Sequence, residues 1–132
     1  MKTWTCQTIT LGYQRPPLTA NQRMHWAKRA RITRKVRADM AWRLKAVGLR
    51  RKPLEKGQKL RVQLVYIPGT NRRRDTDNLW PTLKAICDGI VDAGLVPDDT
   101  PEWMEKPEPK IGPVTPGLRH RIQVKLTVLA PN

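Results

Sequence analysis

Asp75 and Asp77 stand two residues apart, so an extended backbone projects both carboxylates from one face. Carboxylates at that spacing suit a hard cation. Mg²⁺ takes oxygen ligands, and one or two protein carboxylates suffice when water and phosphate complete its shell. The same pair also suits a purely structural part, an Asp-rich turn in which Asp77 or Asn78 caps the helix that follows. The neighbours weigh toward chemistry. Arg72, Arg73 and Arg74 directly precede the pair, and a second acidic pair, Asp98-Asp99, lies beyond a helical stretch.

Lys84 falls between the two acidic pairs. It reads either as a cation positioned to stabilise developing negative charge or as a surface partner of Asp88 at i,i+4, worth only ~0.2–0.5 kcal/mol. A helix from Leu79 to Ala93 is ~22 Å long, so whether Asp98-Asp99 returns to Asp75 and Asp77 depends on the fold and not on spacing. Trp80 and Trp103 flank the acidic segment and can stack on an unpaired base or join the core. With five Trp, two Tyr and no Phe, Trp must supply much of the large-side-chain packing.

Other site chemistries lack the residues. The only histidines, His25 and His120, have no metal-ligand spacing, and Cys6 and Cys87 form no CxxC pair, which excludes a structural zinc site and a His-based nuclease motif. His25, beside Trp26, reads as a loop or phosphate-contacting residue.

The elements that must position these groups follow from periodicity. Thr3 to Leu11 alternates as a strand, with Trp4, Cys6, Thr8 and then Ile9 and Leu11 giving an inward face that slips near its end. Pro16-Pro17 and Asn21 keep the next stretch in a loop. From Met24 to Val47, Ile32, Val36, Met40, Leu44 and Val47 recur at helical steps, and Gly48 ends the helix. Leu60 to Ile67 alternates as a second strand with Leu60, Val62, Leu64 and Tyr66 on one face. A helix to about Ala93 follows, with Leu83, Ile86, Cys87, Ile90 and Val91 inward, Pro81 tolerated in its first turn and Gly94 at its end. Pro97 to Pro101 is a turn, the proline-rich stretch to Gly117 cannot sit in a central strand, and Arg119 to Leu129 makes a final strand with Ile122, Val124, Leu126 and Val128 inward. The chain thus reads as α+β, a single domain over 1–132 in which a small mixed sheet of three to five strands is packed by two main helices. At this length folding buries roughly 68% of the unfolded surface, enough for one core.

Charge is distributed unevenly. Residues 1–56 hold fifteen Lys or Arg against Asp39 and Glu55, a local net of +13, whereas residues 75–108 hold nine of the eleven acids against Lys84 and Lys106. A basic platform with one acidic island points to a polyphosphate partner. Lys28, Arg29, Arg31, Arg34 and Lys35 of the first helix and Arg72 to Arg74 are the candidate DNA contacts. Phosphate contacts of this kind give affinity and not sequence reading. An acidic protein or anionic membrane fits less well, since no apolar insertion face follows the basic stretch. No signal-peptide pattern and no apolar run near ~18 residues is present, so cytoplasm is the expected compartment and no membrane partner is expected.

Arg73-Arg74-Asp75-Thr76-Asp77-Asn78-Leu79, the Lys-bearing helix, Asp92-Ala93-Gly94-Leu95 and Asp98-Asp99 together resemble the RRDxDN…K…D…G…DD signature of RusA-type Holliday-junction resolvases. Pro16-Pro17 with Asn21 is similar to that family's PP…N element. The resemblance implies an endodeoxyribonuclease dependent on Mg²⁺, or on Mn²⁺ in its place, that resolves four-way or otherwise branched DNA as a homodimer in a bacterial or phage-infected cell. Its metal-site aspartates fall on Asp75, Asp77 and Asp99, with Asp98 the adjacent alternative. Its functional lysine falls on Lys84 once Trp80-Pro81-Thr82 is treated as a three-residue insertion, close to one helical turn. Residues 1–56 are then the DNA-contacting part and 71–99 the metal-site part. The competing reading is a non-catalytic basic DNA-binding or architectural protein in which the aspartates only cap a helix.

Overall fold

The computed structural model describes residues 6–13, 15–19, 23–49, 53–69, 76–114 and 120–130, except for the side chains of residues 76 and 77. Strand β1 (Cys6–Leu11), helix α1 (Trp26–Ala46), strand β2 (Lys59–Ile67), helix α2 (Trp80–Asp92), the short strands β3 (Met104–Glu105) and β4 (Lys110–Ile111), and strand β5 (Arg121–Leu129) follow in chain order. They form a five-stranded mixed sheet, ordered β1-β5-β2-β3, with β4 also paired to β2. The fold is α+β, as the periodicity predicts.

β5 runs antiparallel to both β1 and β2, and β3 and β4 run parallel to β2. Register sets apolar rows across the sheet: Ile9, Val124 and Leu64 form one and Leu11, Ile122 and Tyr66 the next. All six are buried. Each such side chain contributes roughly 1.5–3 kcal/mol by leaving water, which fixes which face of the sheet is covered. On the helices, Val36, Met40 and Leu44 of α1 and Leu83, Ile86, Cys87 and Ile90 of α2 complete the same core.

The helices approach closely at Gly89. A Cβ there would lie 2.6 Å from the Arg37 carbonyl oxygen and 2.9 Å from the Met40 Cβ, so only glycine fits the crossing. Arg37 adds a two-pronged bond to Asp92, with Nε–Oδ2 at 2.9 Å and Nη2–Oδ1 at 2.8 Å. Gly48 and Gly94 end the two helices at φ 81° and 83°, a conformation L side chains rarely adopt.

Several expectations are corrected. In β1 the buried residues are Ile9 and Leu11, while Cys6 and Thr8 face outward, so the inward face does not slip. Val47 stands 48% exposed beyond the end of α1, outside the apolar stripe. The C-terminal half of β2 is buried on both faces, Val65 and Ile67 included, because β4 and Gly112 cover its outer side. The proline-rich stretch stays out of the central strands, as expected, and contributes only β3 and β4, two-residue edge pairings too short for periodicity to reveal. No helix among the described residues is long and apolar enough to cross a membrane.

Candidate metal and DNA site

The α2 end of the site begins with a 3-10 turn, Thr76–Leu79, that runs directly into the helix. The N-cap of α2 is Leu79, with no side-chain capping bond, and Pro81 occupies the first turn, where its missing N–H costs nothing. Asn78 therefore does not stand at the N-cap position, and the expected capping by Asp77 falls outside the described side chains. Asp75, Asn21 and Arg72 to Arg74 lie outside the described residues, as does the side chain of Asp77.

From there α2 presents three functional faces within one turn. Trp80 is 40% exposed, so it does not join the core. Thr82 is buried: its hydroxyl donates to the Leu18 carbonyl at 2.6 Å and accepts from the Leu18 N–H at 3.2 Å. The loop that carries Pro16 and Pro17 is thereby locked to the first turn of α2 through Thr82. Lys84 faces outward, where its Nζ lies 3.1 Å from Asp88 Oδ1 and 2.9 Å from Asp99 Oδ2.

The long connection after α2 thus returns Asp99 to the middle of the helix. Lys106 joins them, with Nζ 3.5 Å from the same Asp99 oxygen. Lys84 and Lys106, the only Lys or Arg of residues 75–108, converge on one carboxylate. Asp98 Oδ1 accepts the Asp99 N–H at 2.8 Å, while the Asp99 carboxylate is the one that bonds the lysines. Of the two neighbours, Asp99 is the one that pairs with Lys84 and Lys106.

The electrostatics follow from the geometry. The hydrogen bond from Lys84, ahead of the opposing effect of burial, holds Asp99 below the ordinary carboxylate range. Its bonds to Asp99 and then Asp88 raise Lys84. Beneath them Cys87 is pushed up to about 12 by burial, so its thiol is inert near neutrality. Asp99 and Asp88 are partly exposed, and one or two such oxygens with water and phosphate meet the demands of Mg²⁺. Among the described residues no group of three or more His, Cys, Asp or Glu gathers as a metal site.

Two features were missed by spacing. Lys106 sits in a stretch without periodicity, and its one signal was being the second cation of the acidic island. At the end of β2, His120 Nδ1 lies 2.9 Å from the Tyr66 hydroxyl and accepts the Gly69 N–H at 3.3 Å. That pairing is long-range and leaves no trace in local sequence. His25 lies in the loop ahead of α1, as expected, and its Nδ1 accepts the Ala27 N–H at 3.1 Å, capping the helix.

On α1, Lys28, Arg31, Arg34 and Lys35 are exposed and Arg29 is half-buried. Lys35 is partly neutralised by Asp39 at 3.0 Å, and Arg37 serves the helix crossing through Asp92.

No family model matches the chain. It is similar to an uncharacterized protein of Xylella fastidiosa, at 28% identity over 87 residues, which is 66% of this chain and 57% of that relative. The chain therefore aligns with a little over half of the relative's length.

Proposed function

We propose that the protein is a divalent-metal-dependent endonuclease of the RusA type that cuts branched DNA. The observation that carries the reading is the convergence of Lys84 and Lys106 on Asp99, fifteen residues beyond Lys84 and against the same helix. Such partly exposed pairs add little stability, typically 0–1 kcal/mol, so a stability role does not explain two lysines meeting on one acid.

In this reading Asp75, Asp77 and Asp99 hold Mg²⁺ or Mn²⁺. The ion would supply activation of water and neutralisation of charge at the scissile phosphate. The chain's own contribution is positional. Lys84 steadies Asp99 and offers an ammonium to a phosphate oxygen, Lys106 adds a second contact to Asp99, and the Thr82–Leu18 lock holds the Pro16-Pro17 loop beside the first turn of α2. The cations of α1 neutralise the phosphates of the DNA arms without reading sequence.

The test is nicking of a synthetic four-way junction by the purified protein. Cleavage with Mg²⁺ that stops on chelation is the expected result. Metal-independent binding with no cleavage under either condition would favour a non-catalytic DNA-binding protein.

A further inference from the structure

Trp42 is 64% exposed near the end of a helix whose other face is fully buried. With Arg31, Lys35 and Lys45 it occupies positions i, i+4, i+11 and i+14, the pole of α1 opposite Val36, Met40 and Leu44. An indole in the middle of a cationic stripe costs hydration and returns no core packing. It borders a groove of about 410 Å³ lined by Leu11, Gly12, Tyr13, Lys35, Asp39, Trp42 and Arg43, between α1 and the end of β1.

The groove is organised in advance. The Tyr13 hydroxyl donates to Asp39, and Lys35 bonds the same carboxylate at 3.0 Å while its ammonium sits 5.6 Å from the Tyr13 ring centroid. Asp39 thus holds a tyrosine and a lysine in place, with Arg43 one turn further along the helix. The volume is in the range of small-molecule pockets, and a stacking surface beside two cations is the combination that takes a base together with its phosphate. An acidic peptide would match the charges but would leave the indole face without a planar partner.

We propose that this groove is a single-strand subsite, which takes one unpaired nucleotide of a DNA strand with its base stacked on Trp42 and its phosphate between Lys35 and Arg43. The inference rests on the nuclease reading only in choosing DNA as the nucleic acid. It gives α1 a second task beyond holding duplex arms: engaging a base where the helix has opened.

The probe is an oligothymidylate of roughly 12 nucleotides, within the usual single-strand site sizes, compared with a blunt duplex of the same length. Both are titrated without metal and followed by tryptophan fluorescence. Trp42→Leu is expected to keep the wild-type melting temperature, to lose most of the quenching, and to bind the oligothymidylate at least about fivefold more weakly, the lower end for loss of one stacked base. Its affinity for the blunt duplex should stay within about twofold, and Trp42→Phe should recover most of the single-strand affinity. Unchanged oligothymidylate affinity and quenching in Trp42→Leu would overturn the proposal. So would a fall in sedimentation mass with binding unaltered, which would make a second copy of the chain the occupant. Because the readout is metal-free, failure of the wild type to nick junctions would remove the nuclease reading and leave this result standing.

Discussion

Lys84 Nζ stands 2.9 Å from Asp99 Oδ2, joining the second turn of α2 to a turn that lies beyond the helix's far end. The Lys84 side chain is 62% exposed, so water screens the pair and its share of stability is small. Lys84→Met should therefore destabilise the fold by less than about 1 kcal/mol. Nicking should fall by about 100-fold or more, in the range for removing one group that stabilises developing charge. Lys84→Arg should retain part of the rate. Equal nicking by Lys84→Met and wild type would reduce the pair to a surface ion bridge.

Thr82→Val keeps the volume of the side chain and removes both bonds to Leu18. A buried N–H and a buried carbonyl then lose their partner, which costs about 1–3 kcal/mol. Urea denaturation should show that loss. A change below about 0.5 kcal/mol would mean that the Pro16-Pro17 loop is held by other contacts.

Gly89→Ala sets two effects against each other. Alanine in a helix gains up to about 1 kcal/mol over glycine. The new methyl would meet the Arg37 carbonyl at 2.6 Å, however, and overpacking of that kind costs about 1–3 kcal/mol. The clash involves backbone and cannot rotate away, so net destabilisation is expected. A raised melting temperature would show that the α1–α2 crossing is looser than the structure has it.

Acid should weaken the fold in part through Asp92. The hydrogen bond from Arg37 holds Asp92 below the ordinary carboxylate range, so the charged form is the one the folded state favours. Its contribution is fully present above the unfolded value near ~3.9 and is lost as pH falls through the lower folded value. Both side chains are 40% exposed, which limits the effect to less than about 1 kcal/mol. Asp92→Asn should melt below wild type at neutral pH, and the difference should shrink below pH ~3.9. A difference independent of pH would assign the loss to packing.

Much of the frame was legible in the sequence because it rests on local periodicity. Leu60, Val62 and Leu64 in β2, the alternation of β5, and the Val36–Met40–Leu44 stripe each follow from side chains sorting between core and water. β3 and β4 were not legible, since two-residue pairings depend on β2 already being in place. The site was legible in part. Asp99 and Lys84 stood out by residue type and resemblance, but which of Asp98 and Asp99 faces the lysines is set by how the chain turns back onto α2. Lys106, the Thr82–Leu18 lock and the Tyr66–His120 pair are long-range contacts, set by the fold and invisible to spacing. Asp92 shows a limit of pattern reading: a residue within the resolvase-like signature clamps α2 to α1 through Arg37.

If the acidic island is a metal site for cutting DNA, replacing Asp77 and Asp99 singly by asparagine should separate cutting from binding. Asparagine keeps size and most hydrogen-bonding capacity, so a structural role would survive the change. Each variant removes one anionic ligand and, at the same time, one charge that repels phosphate. Nicking of a four-way junction with Mg²⁺ and a metal-free gel shift should be measured on the same preparations. The account predicts that nicking is abolished in both variants while junction binding is unchanged or tighter. Nicking at the wild-type rate in both would contradict it and leave a basic protein that binds DNA without cutting it.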